Sequence, residues 1–141
     1  MLTASPTFRA IGTTNCVVAT EPAQLDPALT IMHTELALLD DAASRFRADS
    51  ELSRLHARAA TRDVVARVSP ELAWVLGETL DAARRTNGLV DPTIGASLIA
   101  AGYDADLGIV QARSDAIGGR LHAAYGWQRI RLDRRTRFLT L

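Results

Sequence analysis

Two stretches of the chain carry apolar residues at helical spacing. Those of the first stretch recur every three or four positions and therefore share one helical face: they are Leu29, Met32, Leu36, Leu39 and Ala43. Asp26 and Pro27 precede them, and we interpret this pair as a capping carboxylate followed by proline at the first helical position. The pattern predicts a helix over residues 27–43.

The second stretch opens on Ser69-Pro70-Glu71, where a hydroxyl cap, a proline and a carboxylate all suit the positive end of a helix. Its predicted buried face consists of Leu72, Val75, Leu76, Leu80 and Ala83. Asn87 and Gly88 follow it and are typical of a helix end. We therefore expect a helix over residues 70–86, a short one capped by Ser50 or Asp49, and a third over residues 91–101.

Runs that are rich in β-branched residues, or that alternate apolar and polar residues, predict the strands. They cover residues 8–20, as one strand or a hairpin bent at Gly12, and residues 64–68, 127–132 and 137–141. Together these elements predict an α+β fold in which a mixed or antiparallel sheet packs against the helices at 27–43 and 70–86. A length of 141 residues fits one domain.

The last predicted strand runs to the final residue, Leu141, without a polar tail. Because a domain rarely ends on an unprotected apolar strand, we expect that a further segment or another chain completes the sheet. The sequence thus indicates an apparently truncated protein, or one part of a larger assembly.

Composition narrows the classes of function. Sixteen basic and sixteen acidic residues give a formal net charge of zero, so neither a nucleic-acid groove nor an anionic membrane surface is indicated. All the basic residues are Arg, which excludes Schiff-base and P-loop lysine chemistry carried by this chain. The single cysteine, Cys16, lies in an apolar run and is expected to be a small buried hydrophobic residue.

No stretch approaches the length of about 18 apolar residues that a transmembrane helix needs. The first ten residues lack the basic start and apolar run of an export signal. The default expectation is therefore a cytoplasmic protein without a transmembrane segment.

Phe46 lies in a predicted loop, with Arg45, Arg47 and Arg54 close to it in the sequence. An aromatic ring beside guanidinium groups can sandwich a flavin or adenine ring, and the guanidinium groups can bind a phosphate. The alternative, which the spacing alone favours, is that Phe46 covers the core and the arginines are solvated.

A second loop joins two predicted helices at Leu89-Val90-Asp91. Backbone amides at the start of the following helix can bind an anion or a polar ring edge, and the Leu89-Val90 step can lie on a flat aromatic ligand. The alternative is a plain corner in which Asp91 only caps its own helix.

Metal and acid–base motifs are not recognisable in the sequence. His33, His56 and His122 lack ligand spacing, and the neighbours Asp40 and Asp41 do not face each other on a helix.

Three segments, in order along the chain, resemble the FAD:protein FMN transferases, the ApbE-like family. Residues 44–55 are similar to the family's Ser, an aromatic residue two positions on, and Ser-Glu-Leu-Ser-Arg. Residues 87–95 are similar to its Gly-Ala-Phe-Asp-Pro-Thr-Val-Gly stretch, and Ile11-Gly12-Thr13 is similar to its Met-Gly-Thr. The resemblance covers nearly the whole chain and implies that residues 1–141 form the N-terminal FAD-binding portion of such an enzyme.

Enzymes of this family transfer the FMN part of FAD, through a phosphoester, to a Thr or Ser hydroxyl of an acceptor flavoprotein, with a divalent metal, usually Mg²⁺. The resemblance implies that FAD is a substrate and that its contacts are Ile11, Phe46, Leu89, Val90 and Asp91. It carries over no catalytic and no metal-binding residue, because the family's metal-binding Asp and Thr have no match in this chain.

Two positions depart from the family pattern. Ile11 stands where the family has Met. His56 stands where the family usually has Asn, and this second difference could alter the balance between FMN transfer and FAD hydrolysis. Three hypotheses stay open: a transferase fragment that is inactive alone, a non-catalytic flavin-binding module or FAD pyrophosphatase, and a domain without a ligand. A C-terminal half or a homo-oligomer partner could complete the first two.

Overall fold

A computed structural model describes residues 2–113 and 123–141. The chain begins with two small antiparallel ribbons: β1 (Thr3–Ala4) pairs with β4 (Val18–Ala19), and β2 (Phe8–Ala10) pairs with β3 (Thr13–Asn15). The expected hairpin in residues 8–20 is thus confirmed, with its bend at Gly12. Neither ribbon pairs with the main sheet in the described part of the chain.

The described helices are α1 (Leu25–Ala43), α2 (Glu51–Ala59), α3 (Pro70–Arg85), α4 (Gly95–Ala100) and α5 (Leu107–Gln111). Short 3-10 turns occupy Pro22–Gln24, Pro92–Ile94 and Trp127–Arg129. α1 packs against both α2 and α3. Among the described helices, none combines the length and the apolar character that crossing a bilayer requires.

Hydroxyl caps start α2 and α3 as the sequence predicts. Ser50 accepts a hydrogen bond from the backbone N–H of Ser53, and Ser69 accepts one from Leu72. The predicted cap at Asp26 is wrong, because the helical path already begins in the 3-10 turn that Pro22 opens. Asp26 lies instead in the first turn of α1, where its charge suits the helix dipole.

The main sheet has three antiparallel strands in the order β5 (Val65–Arg67), β7 (Phe138–Thr140) and β6 (Arg131–Asp133). Leu139 of β7 lies opposite Ala66 and Leu132. The buried core joins this sheet to α1, α2 and α3 and comprises Ala42, Leu55, Val64, Val68, Leu72, Ala73 and Leu139. The expected α+β packing is therefore confirmed.

The last strand is better protected than the sequence suggested. β7 is the central strand, paired on both edges, and Leu139 is only 1% exposed. The apolar final strand is therefore protected within this chain, because β5 pairs with one edge of it and β6 with the other. The predicted strand at 127–132 is also shorter than expected, since Trp127–Arg129 forms a 3-10 turn before β6.

Cys16 is exposed, so the prediction of a buried cysteine is wrong. It lies between β3 and β4 in the N-terminal ribbons, where its Sγ is 3.5 Å from the carbonyl oxygen of Ser5. A two-stranded ribbon leaves one face of the chain open to solvent, which explains the exposure of this residue.

Candidate functional site

The loop that carries Phe46 is fixed by serine hydroxyl groups. Ser44 ends α1, and its carbonyl oxygen accepts hydrogen bonds from the hydroxyls of both Ser50 and Ser53. Ser50 is completely buried and also caps α2. The serines of the segment therefore act as anchors that close the loop, and Phe46 projects from it with 38% of its surface exposed.

Two of the three arginines around Phe46 are bound to acceptors in the loop or at the end of α1. Arg47 forms ion pairs with Asp49, Asp40 and Asp41, and these carboxylates raise the pKa of Arg47 above its usual value. Arg54 donates a hydrogen bond to the backbone carbonyl of Asp49. The sequence excluded Asp40 and Asp41 as a pair of carboxylates that share a proton. In the structure, both form ion pairs with Arg47.

The third arginine, Arg45, contacts the ring of Phe46 directly. Its guanidinium carbon lies 4.2 Å from the centroid of the Phe46 ring and 4.1 Å from that of Tyr103. The two rings meet edge to face at 5.8 Å between centroids and 68° between planes. Tyr103 follows α4 and was not singled out from the sequence, since nothing in its local pattern indicates a partner near residue 46.

Ile11 occupies a strained turn. The β2–β3 hairpin turns at Ile11 and Gly12, with φ values of 46° and 73°. Positive φ is rare for a β-branched residue and marks a position that the surrounding structure must hold in place. The Ile11 side chain is nevertheless 47% exposed, so burial of the side chain does not account for an isoleucine here.

The hairpin turn is packed against a second loop. A Cβ atom at Gly12 would lie 3.1 Å from Oδ1 of Asp106, so the turn approaches this side chain closely, and the positive φ at this position favours glycine. Asp106 immediately precedes α5. The turn at Ile11 and the ring of Phe46 therefore both border segment 103–106, one at Asp106 and the other at Tyr103.

The third predicted contact region leaves α3 through a left-handed turn. Asn87 and Gly88 have φ values of 50° and 84°, and the Gly88 N–H donates to the Ala83 carbonyl, as at many helix ends. The Thr86 hydroxyl accepts a hydrogen bond from the Val90 N–H. This turn leaves Leu89 91% exposed and Val90 44% exposed, so both apolar side chains face solvent.

Asp91 caps the turn that follows. Its Oδ1 accepts hydrogen bonds from the Thr93 N–H at 2.8 Å and from the Thr93 hydroxyl at 2.7 Å. Partial burial would raise the pKa of Asp91, but these two bonds and the Trp127 backbone N–H outweigh it and hold the pKa below its usual value. The Thr93 hydroxyl in turn accepts from the Gly126 N–H, which fastens this loop to the chain before β6.

The five predicted contact residues therefore fall into two groups. Ile11 and Phe46 border segment 103–106, just after α4, whereas Leu89, Val90 and Asp91 precede the 3-10 turn at the opposite end of α4. Beside Asp91 lies an open cavity of about 420 Å³, lined by Thr93, Ala96, Ser97, Ala123 and Tyr125. The FAD contacts stay predictions, carried by loops at the two ends of one short helix.

His33 and His56, the two histidines in the described residues, do not belong to a metal-binding cluster there. His33 packs on Phe8 with 4.3 Å between ring centroids, and His56 lies on α2, where partial shielding from water lowers the pKa of its otherwise exposed ring. His122 lies outside the described residues. In residues 2–113 and 123–141, no three His, Cys, Asp or Glu side chains gather to hold a metal ion.

Known proteins resemble this chain in fold. The flavin transferase ApbE from Vibrio cholerae superposes with a TM-score of 0.73 at 20% identity, over 99% of this chain and 45% of its own. The flavinyl transferase ApbE from Pseudomonas stutzeri gives 0.71 at 20% identity, over 99% and 43%. The Thermotoga maritima ApbE protein gives 0.64 at 14% identity, over 99% and 44%. The chain thus spans less than half the length of each of these structures.

Comparison of the sequence with known proteins identifies a family but no individual relative. No curated protein sequence matches the chain. A sequence model of the ApbE family matches residues 11–141, which include all three of the segments described above. The chain therefore belongs to the ApbE family.

Proposed function

We propose that residues 1–141 are the N-terminal FAD-binding portion of an FAD:protein FMN transferase. The complete protein transfers FMN from FAD to a Thr or Ser of an acceptor flavoprotein, and this chain alone is inactive. The observation that carries the proposal is the convergence of the strained Ile11 turn and the Phe46 ring on segment 103–106. Backbone strain at an exposed side chain indicates a functional constraint.

Exposed apolar side chains at both ends of α4 suit contact with flat rings. Phe46 and Ile11 supply them at one end, and Leu89 and Val90 supply them at the other, without burial in the core. We assign the isoalloxazine ring to Phe46, since stacking on an aromatic face contributes to flavin affinity beyond area burial alone. Asp91 acts by fixing its loop, since Oδ1 is already engaged by Thr93.

In this proposal the ligands of the divalent metal, Mg²⁺, lie outside this chain, because the metal-binding Asp and Thr of the family have no match in it. When bound, such an ion would neutralise the pyrophosphate of FAD. The contribution that we propose for this chain is the binding and orientation of the flavin, and we assign no proton transfer or bond cleavage to its side chains.

Flavin binding is tested with variants of the full-length protein. We expect Phe46→Ala and Asp91→Ala each to weaken FAD binding, Phe46→Ala by about tenfold through loss of ring stacking. Asp91→Asn should retain most of the affinity, because an amide oxygen can still accept from Thr93. Trp74→Ala serves as the control, since Trp74 is a 65% exposed aromatic residue on α3 outside the predicted site. Unchanged FAD affinity in both Ala variants, measured by flavin fluorescence, would falsify the assignment.

Catalysis is tested separately. The 141-residue chain, incubated with FAD, Mg²⁺ and an acceptor flavoprotein, should leave the mass of the acceptor unchanged. A mass increase equal to FMN would show that no essential residue is missing. Release of free FMN and AMP would support the alternative, an FAD pyrophosphatase. Flavin binding by the full-length protein with neither product would support a non-catalytic flavin-binding module.

A further inference from the structure

We propose that Arg45 is a positioning residue whose guanidinium, held between Phe46 and Tyr103, fixes the orientation of the ring on which the flavin stacks. The inference rests on the proposed function and extends it to two residues that are not among the five predicted FAD contacts. Arg45 and Tyr103 come from loops 58 positions apart, so the contact joins the end of α1 to the end of α4.

The geometry of the stack restrains Phe46 from one side. Arg45 lies within 4.2 Å of the centroids of both rings, a distance at which a cation and an aromatic face attract each other. Its Nη1 also donates to the backbone carbonyl of Tyr103 at 3.0 Å. The Phe46 ring is therefore held by a cation and by the edge of Tyr103, while 38% of its surface stays open.

The hydrogen bonding of Arg45 distinguishes it from the other arginines of this region. Arg47 pairs with three carboxylates, and Arg113 pairs with Asp104 at 2.6 Å. Arg45 forms no such ion pair within the described chain. Its Nη2 is buried and has no acceptor in the described structure, an arrangement that folded proteins rarely tolerate and that calls for an explanation. A purely structural arginine would be expected to satisfy its donors.

The position of the stack explains why this unfavourable arrangement is kept. Segment 103–106 touches Phe46 at one end and the Ile11–Gly12 turn at the other. Fixing Phe46 against Tyr103 therefore holds the ring beside the same segment that the Ile11–Gly12 turn borders. Arg45 thereby sets the geometry between two walls of the proposed flavin site, and we do not place it in contact with the ligand itself.

The test compares substitutions at Arg45 in the full-length protein. Arg45→Met keeps an unbranched chain but removes the charge and the donors, and we expect it to weaken FAD binding by about tenfold. The visible circular dichroism of the bound flavin should also change at saturation, because the ring platform is reoriented. Thermal stability should change little, because loss of the bond to Tyr103 is offset by removal of the unsatisfied Nη2. Arg45→Lys should restore part of the affinity.

Two controls make the outcomes distinct. Arg58→Met, on the exposed surface of α2, should bind FAD like the parent protein. If Phe46→Ala weakens binding but Arg45→Met leaves both affinity and dichroism unchanged, the role of Arg45 is overturned while the flavin assignment stands. If Arg45→Met loses stability and affinity together with unchanged dichroism at saturation, its role is structural only. If Phe46→Ala leaves FAD affinity unchanged, the flavin does not stack on Phe46, and the proposed role of Arg45 is overturned as well.

Discussion

Ile11 is the residue at which sequence and backbone disagree most. A two-residue hairpin turn with positive φ at both positions strongly prefers Asn-Gly or Asp-Gly, yet this turn is Ile11-Gly12. The family resemblance places an apolar residue at the same point. The conformation of the turn therefore does not account for the isoleucine, which is consistent with the proposal that its exposed side chain contacts the flavin.

We expect Ile11→Asn to raise the free energy of unfolding by about 1 kcal/mol, because asparagine tolerates the left-handed conformation. The same change should weaken FAD binding if Ile11 forms a wall of the site. Urea unfolding and FAD titration measure the two effects. Ile109→Asn, which also replaces an exposed isoleucine but lacks a positive φ, should not stabilise the protein. A loss of stability in Ile11→Asn would contradict the interpretation of strain.

His56 gives the protein a stability term that depends on pH. Shielding from water lowers the pKa of its ring in the folded state, so protonation favours unfolding. The contribution is fully present above about pH 6.5, the ordinary histidine value, and is lost as the pH falls through the lower folded value. In His56→Asn, we therefore expect stability to decline less steeply than in the parent between about pH 7 and pH 5. Parallel thermal melts across this range decide it, and identical slopes would count against the prediction.

At the scale of elements, most boundaries were readable because they rest on local chemistry. Ser69-Pro70 starts α3, Asn87-Gly88 ends it, and Asp133 accepts from the N–H groups of Arg135 and Thr136 in the predicted turn. What the sequence could not give were long-range relationships. The pairing of β5 with β7, the approach of Tyr103 to Phe46 and the contact of Gly12 with Asp106 each join distant positions without a local signal.

The Phe46 loop depends on Ser50 more than on any other cap. Ser50 accepts from the Ser53 N–H and donates to the Ser44 carbonyl, and it is completely buried. Ser50→Ala should therefore lower the free energy of unfolding by about 2 kcal/mol, since it removes a helix cap and also removes one of the two donors to the partly buried Ser44 carbonyl. Ser69→Ala removes a cap alone and should lower it by about 1 kcal/mol. Chemical denaturation of the two variants compares them, and equal losses would refute the double role.

At the scale of the whole molecule, the buried core and the proposed site occupy different parts of the chain. Among the described residues, the core cluster runs from Ala42 to Leu139 and includes no residue of the N-terminal ribbons. The ribbons hold themselves together by short antiparallel pairing, which is weak in isolation. Ile11 therefore stands on the least anchored element of the fold, whereas Phe46 stands between two helices of the core.

Hydrogen exchange should reveal this division. Amides of β2 and β3 are expected to exchange through local opening, far faster than those of β5 and β7, which should exchange only with global unfolding. Saturating FAD should slow exchange in β2 and β3 selectively if Ile11 contacts the flavin. Equal protection of all four strands without ligand would contradict the division.

The weak anchoring of the β2–β3 ribbon has a consequence for flavin binding. Because this ribbon contributes no residue to the buried core, the proposed flavin contact at Ile11 can form or loosen without rearrangement of the helices and the central sheet. Ordering the ribbon on binding would cost part of the binding free energy. A hairpin that is already ordered in the free protein should therefore bind the flavin with higher affinity.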